Sequence, residues 1–277
     1  QVIDKNEIQF SKDMVNIMVP VLQDPKISGG SFLAVGQIVQ IVHRNPEVNS
    51  YVVETLTPLL QNSGAEIRQA ALTTMTDTVS IDNRIARNVV DLLIPLSKHS
   101  NKDIRHLALP NLQLLLKIHL RDETQFITDV VLKTFIPRLQ DPDNDVRLAA
   151  LDCIGELFPL LEDNDIHFLR NVTKAMIPLL KDSEKNVRKS TLTNIKKIMK
   201  SGNNSSQLEK DAIIQDFLPL LQDSDKDVRK TALEETREIM KFYESNIDAK
   251  FVVDVTEKFA PLLQDSDHQI RQLAASK

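Results

Sequence analysis

DFLPLLQDSDKDVRKTALEETREIM, residues 216–240, recurs in degenerate form along the whole chain and decides how the rest is read. Aligned on its proline, the pattern returns at Pro20, Pro58, Pro95, Pro137, Pro178, Pro219 and Pro261, at intervals of 38, 37, 42, 41, 41 and 42 residues. Six residues before each proline stands an aliphatic side chain: Met14, Val52, Val89, Val131, Val172, Ile213 or Val255. Ten residues after it stands an arginine in six copies, Arg68, Arg105, Arg147, Arg188, Arg229 and Arg271, each preceded by Ile or Val. A fixed period of about 40 residues is the signature of a stack of small units rather than of one core.

Within each copy, apolar residues at helical spacing predict a first helix ending near the proline, a short polar turn and a second helix. The unit is therefore a helical hairpin. The proline lacks an amide donor and crowds the preceding turn, so it is expected to bend or restart the first helix. In the turn, Ser63, Ser100, Ser183, Ser224 and Ser266 each precede an acidic or amide side chain by three residues, which resembles a capping box and places the start of the second helix there. Val228, Ala232, Leu233, Ile239 and Met240 then lie on one wide apolar face that a neighbouring hairpin has to cover. The expected organisation is a single array over 1–277, with units near 6–43, 47–80, 83–118, 122–160, 164–200, 207–243 and an incomplete 247–277, taken as part of a longer array. Two stretches depart from the pattern. Gly29-Gly30-Ser31 replaces the aliphatic-arginine pair in the first copy, so its second helix is expected to start late, and 201–207 reads as a polar surface loop.

Composition excludes several function classes. Lys and Arg total 34 against 39 Asp and Glu, a net charge of -5, so no global field attracts nucleic acid or an anionic membrane. Aromatic residues make up 4% and tryptophan is absent, leaving few platforms for stacking on bases. No apolar run approaches the roughly 20 residues needed to span a bilayer. The one cysteine, Cys153, falls among apolar helix positions and reads as a buried thiol. The expected compartment is the cytoplasm, with the nucleus also open.

The pattern PLLQDxDxxVRxxAL, seen at Pro219–Leu233 and again at Pro137–Leu151, resembles the HEAT repeat over essentially the whole chain. That resemblance implies an all-α solenoid, a right-handed superhelix of helical hairpins whose second helices line a concave, protein-gripping surface. It also implies a ladder between adjacent units, here Asp141, Asp182, Asp223 and Asp265 with Arg147, Arg188, Arg229 and Arg271. Asn62 and His99 replace the aspartate in the second and third copies. Among HEAT families the chain most resembles the scaffolding (A) subunits of type two A serine/threonine protein phosphatase.

Catalytic patterns are missing. The acidic runs Asp141-x-Asp143-x-Asp145 and Asp223-x-Asp225-x-Asp227 imitate a calcium loop, but that loop needs glycine where Val146 and Val228 stand. His99 and His106 straddle a turn and read as surface residues rather than ligands. No catalytic residue, cofactor site or metal site is expected. The reading is a non-catalytic scaffold or regulatory subunit that holds other proteins, a phosphatase catalytic subunit among them. A transport adaptor wrapping cargo is the alternative, and a HEAT-fold enzyme on nucleic acid the less favoured one. The candidate partner-binding residues are Lys189, Lys196, Lys200, Lys230, Arg237 and Lys241, six cations on two adjacent second helices that would steer an acidic protein segment.

Overall fold

The computed structural model describes residues 5–23, 30–62, 64–161, 166–201, 213–241 and 249–275. Among these, all regular structure is helical. In order the helices are α1 (Lys5–Gln23), α2 (Gly30–Arg44), α3 (Asn49–Leu56), α4 (Leu59–Asn62), α5 (Ala65–Ile81), α6 (Ala86–Leu96), α7 (Lys102–His119), α8 (Thr124–Val130), α9 (Ile136–Arg138), α10 (Asn144–Leu157), α11 (Ile166–Met176), α12 (Lys185–Ser201), α13 (213–217), α14 (Lys226–Lys241), α15 (Ala249–Phe259) and α16 (His268–Ala275). They divide into two compact units, Gln1–Ile127 and Thr128–Lys277.

In the first unit α2 packs on α1 and on α5, while α7 packs on α6 and on α5, so the second helices of successive hairpins lie side by side. Ile38, Leu56, Leu72, Met75, Leu93, Leu109 and Leu112 fill the space between them and are fully buried. In the second unit the same layering runs from α10 through α12 and α14 to α16. Val146, Leu151, Val187, Leu192, Val228, Leu233 and Ile270 form its core, with Phe135 and Phe217 as the largest fully enclosed side chains. Each such aliphatic side chain contributes about 1.5–3 kcal/mol when removed from water, which a lone hairpin with one exposed apolar face could not collect.

The marker prolines are exposed in all seven copies, and their effect on the helix varies. At Pro178, Pro219 and Pro261 the α-helix gives way to 3₁₀ turns, Ile177–Lys181, Leu218–Gln222 and Ala260–Gln264, with the proline at the start. The tighter turn suits a residue without an amide, because the first residues of a 3₁₀ segment donate no internal bond. A π-turn, Val131–Phe135, precedes Pro137, while α3 stops at Leu56 just before Pro58 and α4 resumes beyond it. Pro20 and Pro95 stay inside α1 and α6.

The caps differ from the serine expectation. The residue after the serine position, or its equivalent, does the capping: Asn101 Oδ1 accepts from Asp103 N at 2.7 Å, Asp143 Oδ1 from Asp145 N and Val146 N at 3.1 and 3.3 Å, and Asp225 Oδ1 from Asp227 N and Val228 N at 2.9 and 3.3 Å. Asp267 Oδ1 accepts from Gln269 N at 2.8 Å in the last copy. The reason lies one turn upstream, where Asp141, Asp223 and Asp265 accept the amides of Asp143, Asp225 and Asp267. That aspartate turn rotates the aspartate two residues on, not the intervening residue, into the cap position. The α5 N-cap is Gly64, without a side-chain bond, and Ser63 lies outside the described residues. So do 24–29 and 202–212, which include most of the unusual first turn and of the polar loop, while α2 is described from Gly30.

Candidate interaction surface

In every copy but the first, the arginine ten residues after the proline sits in the first turn of the second helix; from the third copy on, its side chain reaches back over its own loop. Arg147 Nη1 donates to the Asp141 and Pro142 carbonyls at 2.8 and 3.2 Å. Its Nε and Nη2 donate to both carboxylate oxygens of Asp182, in the next hairpin, at 2.7 and 2.8 Å. Arg188 repeats this with the Asp182 and Ser183 carbonyls and with Asp223 at 2.7 Å twice. Arg229 repeats it with the Asp223 and Ser224 carbonyls and with Asp265 at 2.7 and 2.9 Å. One guanidinium thus ties its own turn to the turn of the following hairpin through four bonds, a task that suits its flat fork and not an ammonium.

All three pairs are nearly enclosed, with side-chain exposures of 11–14% for the arginines and 6–8% for the aspartates. Arg229 beside Asp265 holds that carboxyl below the usual range. Burial pushes Asp182 up, and the bonds from Arg147 and the Glu184 amide more than offset it, leaving it low as well. At the ends of this run, Asp141 accepts from Arg138 Nη1 at 3.3 Å, and Arg271 Nη1 donates to the Asp265 and Ser266 carbonyls. Arg105 holds its own turn the same way, through the His99 and Ser100 carbonyls. In the third copy His99 takes the aspartate place, and its Nδ1 accepts from Asn101 N at 3.0 Å; His106 is exposed on α7.

A second rung lies outside the first and went unread in the sequence. Lys185 Nζ meets Asp225 at 3.0 Å and Lys226 Nζ meets Asp267 at 3.2 Å. Its signal was present: lysine seven residues after one proline, aspartate six after the next. The first two aspartates of each acidic run that imitates a calcium loop are therefore occupied in shaping the turn, capping the helix or binding arginine or lysine. Among the described residues no cluster of three or more His, Cys, Asp or Glu is placed to hold a metal.

The six proposed partner-binding cations do not form one free patch. Lys196 is only 16% exposed and its Nζ pairs with Glu235 and, at 3.1 Å, with Glu238 on α14. Burial works against its charge, but those two carboxylates hold its pKa above that of ordinary lysine. Arg237 Nη1 donates to the Leu273 carbonyl on α16, and Lys230 Nζ to Gln269 Oε1 at 3.0 Å. The side chains of Lys200 and Lys241 lie outside the described residues. Counting charges by helix position missed Glu235, which is buried and also accepts from Thr193 Oγ1 at 3.1 Å. Lys189 lines a cleft of about 410 Å³ across α10, α12 and α14. The same cleft carries Asp152 and Glu156 as well as Lys197, so both signs of charge line it.

Between α10 and α12 the packing rests on a glycine. Asn194, 4% exposed, donates from Nδ2 to the Leu151 carbonyl and to Ser190 Oγ, both at 3.2 Å. A Cβ at Gly155 would stand 2.1 Å from Asn194 Oδ1. Cys153 on the same helix is buried, and burial, reinforced by Asp152 and Glu156, pushes its thiol far up, away from nucleophilic use.

Among the described residues no helix is long and apolar enough to cross a membrane. Three solved structures are similar to the chain at low identity. Importin beta aligns at TM-score 0.72 and 14% identity over 95% of this chain and 38% of its own length. Cex1p aligns at 0.62 and 16% over 98% and 52%, and a HEAT-like repeats protein from Thermococcus onnurineus NA1 at 0.58 and 16% over 94% of each. The fold is accordingly an all-α solenoid of the HEAT and armadillo class. No curated protein matches the sequence. The family model described as sister chromatid cohesion protein PDS5 matches residues 34–263. Spanning most of the chain and both units, that match makes the chain a member of the PDS5 sister chromatid cohesion protein family.

Proposed function

We propose that the chain is a non-catalytic scaffold that holds other proteins in sister chromatid cohesion, acting in the nucleus as well as the cytoplasm, without a cofactor. The observation that carries this is the family match over residues 34–263. Consistent with it, the polar faces of α10, α12 and α14 present paired charges and an open cleft, in which Ser190 Oγ donates to Asp152 Oδ1 at 2.6 Å. The contact surface is the cleft side of these helices, where Lys189 and Lys197 would meet carboxylates of a partner and Asp152 its cations. Lys196 and Arg237 serve it indirectly by fixing α12 to α14 and α14 to α16.

A second reading is the scaffold of a phosphatase assembly, whose scaffolding subunits the chain resembles in consisting almost entirely of such repeats. A cargo-wrapping transport adaptor rests on fold alone, and nucleic-acid binding is disfavoured by the net charge. Affinity purification of the tagged chain, followed by mass spectrometry, separates them. Recovery of proteins that hold sister chromatids together, with premature sister separation on depletion, supports the first reading. A stoichiometric phosphatase catalytic subunit without a cohesion defect replaces it by the second.

A further inference from the structure

The polar faces of α12 and α14 meet through charge: Lys196, eighteen residues after its marker proline, pairs with Glu235 and with Glu238, nineteen after the next proline. The joint between α2 and α5 is built differently. In α2, which starts late, the buried Val35, Ile38 and Val42 take the places of Leu192, Ile195 and Met199, each one position further from the proline. Val39 therefore stands where α12 has Lys196, while Asp77, nineteen residues after Pro58, stands where α14 has Glu238. The carboxylate is present at this joint, and an aliphatic side chain replaces its lysine.

Asp77 is half-buried and makes no hydrogen bond or ion pair among the described residues. Burial raises the pKa of its carboxyl, the direction expected where no cation stands close. Thr74, at the place of Glu235, is fully buried and spends its hydroxyl on the Ala70 carbonyl at 2.9 Å. Beside Asp77, α2 leaves room. Gly36 stands where α12 has Thr193; it is exposed, and a Cβ there would meet no atom within 4 Å. Val39 lies three residues on, on the same side of the helix, and is half-buried. A gap and an aliphatic wall thus adjoin a carboxylate held partly out of water, whose desolvation an incoming cation offsets.

We propose that Gly36, Val39 and Asp77 form a docking notch for a lysine or arginine side chain of another protein. The methylene stem passes over Gly36 and packs on Val39, and the cationic head meets the Asp77 carboxylate as Lys196 meets Glu238. The notch belongs to the first unit and does not depend on the cleft of α10, α12 and α14, which belongs to the second.

The test uses the whole chain and two fluorescent peptides of roughly 12 residues, flexible glycine and serine chains, one with arginine at every fourth place and the other with glutamine there. Fluorescence anisotropy should show the arginine peptide binding at least about tenfold more tightly than the glutamine one. Asp77→Asn should weaken the arginine peptide at least about tenfold with an unchanged circular dichroism spectrum. Val39→Lys, which supplies the missing lysine from within, should do the same. Asp91→Asn, which removes an exposed carboxylate on α6, should leave binding as it is. Equal binding of both peptides, or undiminished binding to Asp77→Asn or Val39→Lys, overturns the proposal. So does an equal loss in Asp91→Asn, because the peptide would then be following net negative charge rather than the notch.

Discussion

Arg188 and Val228 show how differently a charge behaves at two depths of the same stack. Arg188 is matched by Asp223 and by two carbonyls of its own turn, so replacing it with alanine removes four bonds and leaves a nearly enclosed carboxylate unpaired. We expect Arg188→Ala to cost about 1–3 kcal/mol in urea unfolding. Val228 is fully buried, and Val228→Asp, which brings a charge with no partner, should cost about 3–5 kcal/mol. If the arginine variant proves the more damaging, the ladder rather than apolar packing holds the hairpins. The ladder also sets an acid limit. Asp182 and Asp265 have pKa values lowered by folding, so their contribution is complete above the unfolded value near 4 and is lost as pH falls through the lower folded one. The melting temperature should stay level from pH 7 to about 5 and fall below about 4, and the fall should be shallower in Arg229→Ala. A melting temperature that drops already between pH 7 and 5 would assign the acid sensitivity to other groups.

At the scale of the element, the contact of α10 with α12 depends on a missing side chain. Gly155→Ala drives a methyl group into Asn194, whose amide is bonded across to the Leu151 carbonyl. Each of Gly155→Ala and Asn194→Ala should destabilise by about 1–3 kcal/mol. The pair together should cost clearly less than the sum, because the second change removes the group that the first displaces. Strict additivity in the double-mutant cycle would mean that the two residues do not interact. This contact was illegible in the sequence because glycine in a helix reads as a weakness and nothing local says which helix approaches it. The serine caps failed for a related reason, since Ser224 and Asp225 are both good caps and only the turn made by Asp223 chooses between them. Where the rule is periodic, as with the arginines and aspartates at fixed distances from the prolines, the residues could be paired before the structure. Lys196 could not, because Glu235 and Glu238 reach it from a hairpin whose rotation no spacing specifies.

For the whole molecule, the consequence of repetition is that each hairpin is stabilised by its immediate neighbours and by little else. The proline period and the apolar faces displayed that principle in the sequence, and the layering of α2, α5 and α7 in one unit and of α10, α12, α14 and α16 in the other follows it. Partner choice was less legible, because the stack itself does not require cleft side chains such as Lys189, so no period marks them. Hydrogen exchange followed by mass spectrometry on Val228→Asp tests the stacking principle most directly. Protection should be lost in α14 and in its neighbours α12 and α16, while α1 to α7 retain the protection of the unaltered chain. Loss of protection spread evenly through α1 to α7 as well would contradict it, showing one cooperative core where the account places a stack of hairpins.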